Sequence, residues 1–216
     1  MAELNLLKSL PKPKRNVKAR TTKKTTEHIR ISREYGKQYF DGPREYGYGG
    51  YRYDGRWVPV AKDIVDNFNL KKGDKMLDVG CGKGFLVKDL CNIGIEAYGI
   101  DISNYALENC EKEISNRLKI GSADNLPFKD NSFNAVISIN TIHNLERKQC
   151  VKAVKEIERL APGKSFIQVD SYKNEKQKEI FESWVLTAKY YGYPDEWKQL
   201  FKEAGYTGFY YWTIIE

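Results

Sequence analysis

Residues Met76-Leu-Asp-Val-Gly-Cys-Gly-Lys-Gly-Phe-Leu86 constrain the fold of this chain more than any other stretch. A short apolar run ends in an acid, glycine recurs at 80, 82 and 84, and an amphipathic helix pattern follows. That order predicts a buried strand, a tight turn at the carboxyl edge of a sheet, and a helix start. Glycine there accepts positive φ and removes Cβ atoms where a ligand or another backbone comes close. A strand–helix turn that merely needs glycine is the plainer reading. Against it stands Tyr98-Gly-Ile-Asp101, a second strand ending in an acid 21 residues after Gly80. An acid about 20 residues past a glycine turn is where dinucleotide-binding folds grip an adenosine ribose.

The rest of the body keeps strands and helices in alternation. A helix is expected over 58–68, with Ala61, Ile64, Val65 and Phe68 on one face, and another over about 84–92. Strands follow at Glu96–Ile100, Leu118–Gly121, Phe133–Ile139 and Ser165–Val169, with a helix after Ser103, a good N-cap, and one carrying Val151, Val154, Ile157 and Ala161. Phe181, Trp184, Val185 and Ala188 mark a further helix, and Pro194 opens one that ends at Gly205. The chain closes on one aromatic strand over 208–215. This is an α/β pattern: a Rossmann-like, doubly wound, mostly parallel sheet with helices on both faces, in a single domain with an N-terminal extension.

The spacing separates two cofactors. A dinucleotide fingerprint places its third glycine three residues after the second, whereas Gly84 follows Gly82 by two, and Asp78 precedes the first glycine by two. The stretch resembles motif I of the class I S-adenosylmethionine-dependent methyltransferases, D-x-G-x-G-x-G, and the resemblance continues through Asp101, Ser122-Ala-Asp-Asn-Leu-Pro-Phe128 and Arg159-Leu-Ala-Pro-Gly163. It covers about half the chain, roughly residues 74 to 170, and implies S-adenosylmethionine as cofactor. On that resemblance, Asp101 accepts the ribose diol, Ile102 floors the adenine, and Asp124, flanked by Ala123 and Asn125, meets the adenine edge. Asp78 and the Gly80-Cys81-Gly82 backbone face the methionine amine, Asn140 lies at the cofactor's reactive end, and Arg56 is the cation for the methionine carboxylate. Asp124 also reads as a simple turn cap. The family's sheet ends in a two-stranded hairpin, of which one strand is visible here.

In the family, the loop after the fourth strand of the body, here Asn140-Thr-Ile-His-Asn144, faces the methyl being transferred. His143 is the one side chain in it that titrates near neutral pH, so it is the general-base candidate, with a hydrogen-bonded loop histidine as the alternative. The loop lacks the Asn/Asp-Pro-Pro-Tyr/Phe signature of enzymes that methylate amino groups of nucleic-acid bases. The paired glutamates of protein arginine methyltransferases are missing too. The expected acceptor is therefore O or N of a small molecule or glycan-type metabolite. The alternatives are an RNA or protein methyltransferase docking through a basic tail, and a catalytically silent cofactor-binding module.

Charge is unevenly placed. Of the formal net +7, residues 8–33 carry ten Lys/Arg against Glu27, leaving the rest at −2. Residues 1–33 therefore read as a basic, disordered tail, either a nucleic-acid or anionic-surface tether or a solvated extension. Residues 34–57 interleave tyrosines with glycines and form the expected lid over the sheet's carboxyl edge, with Tyr48, Tyr51, Tyr53 and Trp57 toward the substrate and Trp184 on the far side. A flap that only covers core is the alternative. Residues 58–216 form the cofactor-binding domain. Cys81, Cys91, Cys110 and Cys150 are widely spaced and His28 and His143 are the only histidines, so no metal site is expected and cytoplasmic, reduced thiols are the default. No apolar run is long enough for a membrane span, and oligomeric state is left open.

Overall fold

The structure, a computed structural model, describes residues 1–11 and 24–215. Its strands are β1 (Ala2–Glu3), β2 (Lys75–Val79), β3 (Glu96–Asp101), β4 (Leu118–Ile120), β5 (Ala135–Ile139), β6 (Ser165–Asp170) and β7 (Phe209–Thr213). They form one sheet in the order β1-β7-β6-β5-β2-β3-β4, and every described pairing is parallel. The helices are α1 (Thr26–Ser32), α2 (Lys37–Asp41), α3 (Val58–Phe68), α4 (Phe85–Asn92), α5 (Asn104–Glu108), α6 (Arg147–Leu160), α7 (Glu175–Trp184) and α8 (Pro194–Glu203).

Both faces of the sheet are buried, which is why its central strands read as unbroken apolar runs. Alternate residues serve opposite cores. Leu77, Val79, Val136, Ile167 and Val169 pack with α6 and α8 on one side. Met76, Ala135, Ile137 and Phe166 pack with α3 and α4 on the other. The crossover where β2 meets β5 on one side and β3 on the other is the switch point at which such sheets open a crevice. Ser103 caps α5 as its identity predicts, accepting from the Ala106 N–H at 3.0 Å. The helix expected through Ala188 stops at Trp184, because Val185 turns extended, and Ala188 packs from a loop instead.

The structure departs from the expected 1–33 tail at both of its ends. Ala2 donates to the Gly208 carbonyl at 3.2 Å and Leu4 to that of Tyr210 at 3.0 Å, so β1 adds to β7 in parallel register. Leu6 is 1% exposed within the α3/α4 core, and Ser9 Oγ donates to Asp63 at 2.5 Å. Averaging over a basic stretch hid four leucines, at 4, 6, 7 and 10, which supply the apolar area for docking. Residues 24–33 are likewise built into the body, with Thr25 and His28 forming a reciprocal cap on α1. The low-complexity run expected to be disordered falls largely on 12–23, outside the described residues. The closing topology is now explicit: β7 lies parallel to β6, and the chain's own beginning, not a hairpin partner, takes its outer edge.

If residues 2–10 are a packed part of the fold, Leu6→Ala should cost about 2–5 kcal/mol in urea unfolding, the ordinary cost of truncating a buried leucine. A free tail would leave the midpoint unmoved.

Candidate active site

The glycines of the turn serve different ends. A Cβ on Gly80 (φ +84°) would lie 2.0 Å from Thr141 Oγ1, and one on Gly84 would meet Ile114 and Leu118 at 2.7 and 2.8 Å. These two let elements close up. Gly82 would make only ordinary 3.5 Å contact with the rings of Phe40 and Tyr51, so it is the glycine that faces out beneath the aromatic segment. Cys81, 5% exposed, turns its thiol down toward Gly99, and burial pushes that thiol well up.

At the end of β3, Asp101 accepts from the Gly82 N–H at 2.7 Å and the Ser103 N–H at 2.9 Å. Burial raises its pKa and these backbone donors pull it back. A carboxylate has about four lone-pair positions, so Asp101 keeps capacity for a diol. Beside it Ile102 is 57% exposed, an apolar side chain standing at the edge. Asp78, 6% exposed, is pushed up to about 7 by burial and then by the charge of Asp101, with no hydrogen bond to hold its charged form. In the loop after β4, Asp124 accepts from Ser122 Oγ and, at 3.3 Å, from Gln149 of α6. Ala123 is buried there, and Asn125, exposed, closes the turn by donating to the Ser122 carbonyl at 3.1 Å. Arg56 is exposed and already forked onto Asp54, with Nη2 to Oδ2 at 2.5 Å, which weakens the sequence-based reading of it as a carboxylate ligand.

The aromatic segment is folded and pinned. Tyr48 lies tilted against Tyr51 at 4.4 Å and Tyr51 stacks on Phe85 at 4.8 Å, with Phe40 stacked on Tyr48 and Tyr39 closing the group edge-on. Its clasp on the cofactor side is Asp41. That carboxylate takes Lys83 Nζ at 2.6 Å, the Tyr105 hydroxyl at 2.7 Å and the Tyr51 N–H at 3.1 Å. Ser103 Oγ adds a bond to the Tyr35 carbonyl at 2.6 Å. On the opposite lip Arg33 donates to the Ala188 carbonyl at 3.2 Å and Lys24 to that of Val185 at 3.1 Å.

Of the expected substrate residues, Tyr48 and Tyr51 lie in this group, and Trp57 packs against the α3/α4 core. Two others point elsewhere. Tyr53 donates to Asp89 at 2.6 Å with Lys88 over its ring, and Trp184 packs with Tyr172, Phe181 and Ile215. Both carried aromatic character without position, because which side a loop ring faces depends on contacts distant in sequence. Tyr35, Tyr39, Phe40 and Asp41 were marked only as part of the 34–57 segment, without individual roles, and Lys83 and Gln149 were not singled out.

The third wall is the carboxyl edge of β5 to β7. Asn140 adopts φ +53° and accepts from Thr213 at 2.7 Å. His143 is 3% exposed; its Nδ1 accepts from the Asp170 N–H at 3.0 Å and its Nε2 lies 3.4 Å from the Asp170 carboxylate. Burial lowers its pKa and Asp170 partly restores it. The ring is therefore a neutral Nε2–H tautomer with its lone pair already occupied. That geometry suits a positioning group for Asp170 rather than the free general base the sequence indicated.

With this geometry in place, the comparisons with known proteins fall into line. A methyltransferase-domain family model matches residues 77–167. The sterol 4-C-methyltransferase strm-1 of Caenorhabditis elegans is 30% identical over 170 residues, covering 69% of this chain and 49% of that protein. The Mus musculus protein named Probable tRNA methyltransferase 9B is 36% identical over 114 residues, covering 50% of this chain and 23% of that one. The chain thus spans about half of the first of these relatives and less of the second. Among solved structures, the YcgJ protein from Bacillus subtilis superposes with a TM-score of 0.56 at 16% identity, over 70% of this chain and 68% of that one. The glycine turn, the acid-ended β3 and the crevice at the switch point define a class I S-adenosylmethionine-dependent methyltransferase domain, and the chain belongs to that family. The relatives' names point to different acceptors, a sterol and a tRNA, so membership does not carry an acceptor with it. Among the described residues no group of three His, Cys, Asp or Glu could hold a metal, and no helix is long and apolar enough to cross a membrane.

Asp78 generates a pH prediction. Its folded pKa of about 7 lies above the ordinary 3.8, so the folded ligand-free protein keeps a proton that the unfolded chain has released. Stability should therefore fall as pH rises from about 4 to 7. Asp78→Asn should remove that fall, leaving the ligand-free variant more stable at pH 8 by on the order of 2–4 kcal/mol, with the gap closing toward pH 4. Urea unfolding across pH measures it, and parallel pH profiles for the two proteins would refute the assignment.

Proposed function

We propose that this methyltransferase moves a methyl group from S-adenosylmethionine to O or N of a small molecule enclosed beneath the tyrosine segment. The observation that carries the reading is a double anchoring, of that segment by Asp41 to Lys83 and Tyr105 on one lip, and of the α1 stretch leading into it by Lys24 and Arg33 to residues 185–188 on the other. A lid tied at both lips favours an acceptor that fits inside over one that must be docked across the opening. The basic residues at 24 and 33, counted toward a tether in the sequence, are spent on these intramolecular bonds.

The residues present fit the cofactor. A buried Asp78 without a hydrogen-bond partner matches an ammonium, Asp101 with spare lone pairs matches a diol, and exposed Ile102 matches a flat apolar ring. Asp124, steadied by Gln149, is placed for an exocyclic amine. When bound, S-adenosylmethionine supplies an electrophilic methyl on a sulfonium. The chain's part is to align the acceptor with it and to exclude water, a role that the packed rings of Tyr48, Tyr51 and Phe40 are suited to.

Calorimetry should show binding of S-adenosylmethionine and its demethylated product and none of NAD. Asp101→Ala should weaken both by roughly 1.5–3 kcal/mol for each charge-assisted bond lost, at least tenfold in affinity. NAD binding in place of S-adenosylmethionine would overturn the cofactor. With labelled methyl donor and a cell extract, label is expected in the low-molecular-weight fraction. Label confined to RNA, with a steep salt dependence, would favour the tail-docking alternative.

A further inference from the structure

The carboxyl edge of β5 to β7 is rich in hydrogen-bond acceptors and short of donors. Gln168 is 8% exposed; its Nε2 donates to Thr213 Oγ1 at 2.8 Å, and its Oε1 has no partner. Thr213 stands opposite Asp170 in the β6–β7 register, so the Gln168 amide leans toward the edge and onto the face that carries Asp170, two residues on. Thr213 spends its own proton on Asn140 Oδ1. Next to His143, the Oδ1 of Asn144 is also buried without a partner. Asp170 itself, 7% exposed, is oriented by both nitrogens of His143. The rings of Tyr39 and Tyr48 meet edge-on at 5.1 Å, and Tyr48 lies within electrostatic reach of Asp170.

We propose that this edge is an ammonium subsite, in which Asp170, positioned by His143, together with Gln168 Oε1 and the face of Tyr48, recognises a small protonated amine. For transfer the ammonium would give one proton to the Asp170 carboxylate, and the freed nitrogen lone pair would form the N–C bond as the sulfonium S–C bond breaks. That leaves S-adenosylhomocysteine and, once Asp170 has returned its proton to solvent, a cationic methylated amine. The proposal rests on the methyl-transfer reading above and narrows its acceptor to nitrogen. An ammonium brings up to three N–H donors to a wall of acceptors, a positive charge to a carboxylate, and a partner for an aromatic face. An alcohol brings one donor and no charge. A carboxylate or phosphate would face Asp170 and unpartnered carbonyl oxygens, all of the wrong sign. The neutral imidazole suits this role, because it accepts from the Asp170 backbone N–H and lies 3.4 Å from the carboxylate without cancelling its charge.

The test uses the full chain saturated with S-adenosylhomocysteine, titrated by NMR with n-butylammonium chloride and, separately, with 1-butanol, at constant ionic strength. The ammonium is expected to bind at least tenfold more tightly than the alcohol. Asp170→Asn should bring that ratio below about threefold while leaving S-adenosylhomocysteine affinity within twofold of wild type. Gln168→Met, which keeps bulk and removes the orphan oxygen, should weaken the ammonium alone. Equal binding of the two probes by the wild-type protein overturns the proposal whether or not Asp170→Asn folds, and so does a preference that survives in a folded Asp170→Asn. Failure of the wild-type protein to bind S-adenosylhomocysteine overturns the methyl-transfer reading as well. Cofactor binding without an ammonium preference overturns the amine subsite alone.

Discussion

Three hydrogen bonds join the glycine turn to the end of β3, and the site is assembled around them. The N–H groups of Gly80 and Cys81 both reach the Ile100 carbonyl, at 2.7 and 3.2 Å, and the Gly82 N–H reaches Asp101. Together they hold the turn against the neighbouring strand after the regular β2–β3 ladder has ended. Asp101 is thereby both a structural cap and the group we propose for a ribose. Its nearness raises Asp78 further, so the two carboxylates proposed to hold the cofactor's polar groups are electrostatically coupled before any ligand arrives. Strain of that kind is relieved by a cation, which the amino-acid head of the cofactor carries.

The lid depends on the same turn. Lys83 sits between Gly82 and Gly84 and gives its ammonium to Asp41, with side-chain exposures of 7% and 21%. Because so little water screens it, this pair couples the aromatic segment to the turn more firmly than a surface ion pair would. The Tyr105 hydroxyl on α5 joins the same carboxylate. Glycine turn, lid and the helix after β3 therefore meet at one acid. A change at Asp41 would be felt by the cofactor side and the acceptor side together.

The far end of the sheet solves a different problem. A parallel strand at an edge leaves a row of open N–H and C=O groups, and β7 is covered by β1 from the opposite end of the chain. Leucines 4, 6, 7 and 10 fasten that cover to the α3/α4 core. The stretch that charge alone would assign to solvent is thus part of the fold, and it reaches the far edge while residues 24–33 reach the lid.

The alternation of strands and helices, the glycine turn, Asp78, Asp101 and the Ser103 cap were legible in the sequence because each is a local event. Period-2 and period-3.6 patterns, positive φ and capping are settled within a few residues. The residues proposed for the cofactor were legible for the same reason, their spacing being fixed by one turn and two adjacent strands. Tertiary structure decided what depends on contacts between distant segments. It turned Tyr53 onto Asp89 and left Tyr48 and Tyr51 over Gly82. It buried Leu6, and it took His143 from a free base to a neutral support for Asp170. Asp41 and Lys83 lie 42 residues apart, and Gln168 and Thr213 lie 45 apart. A side chain's partner at such separations is set by how the sheet is wound and what packs upon it, and no local pattern records that.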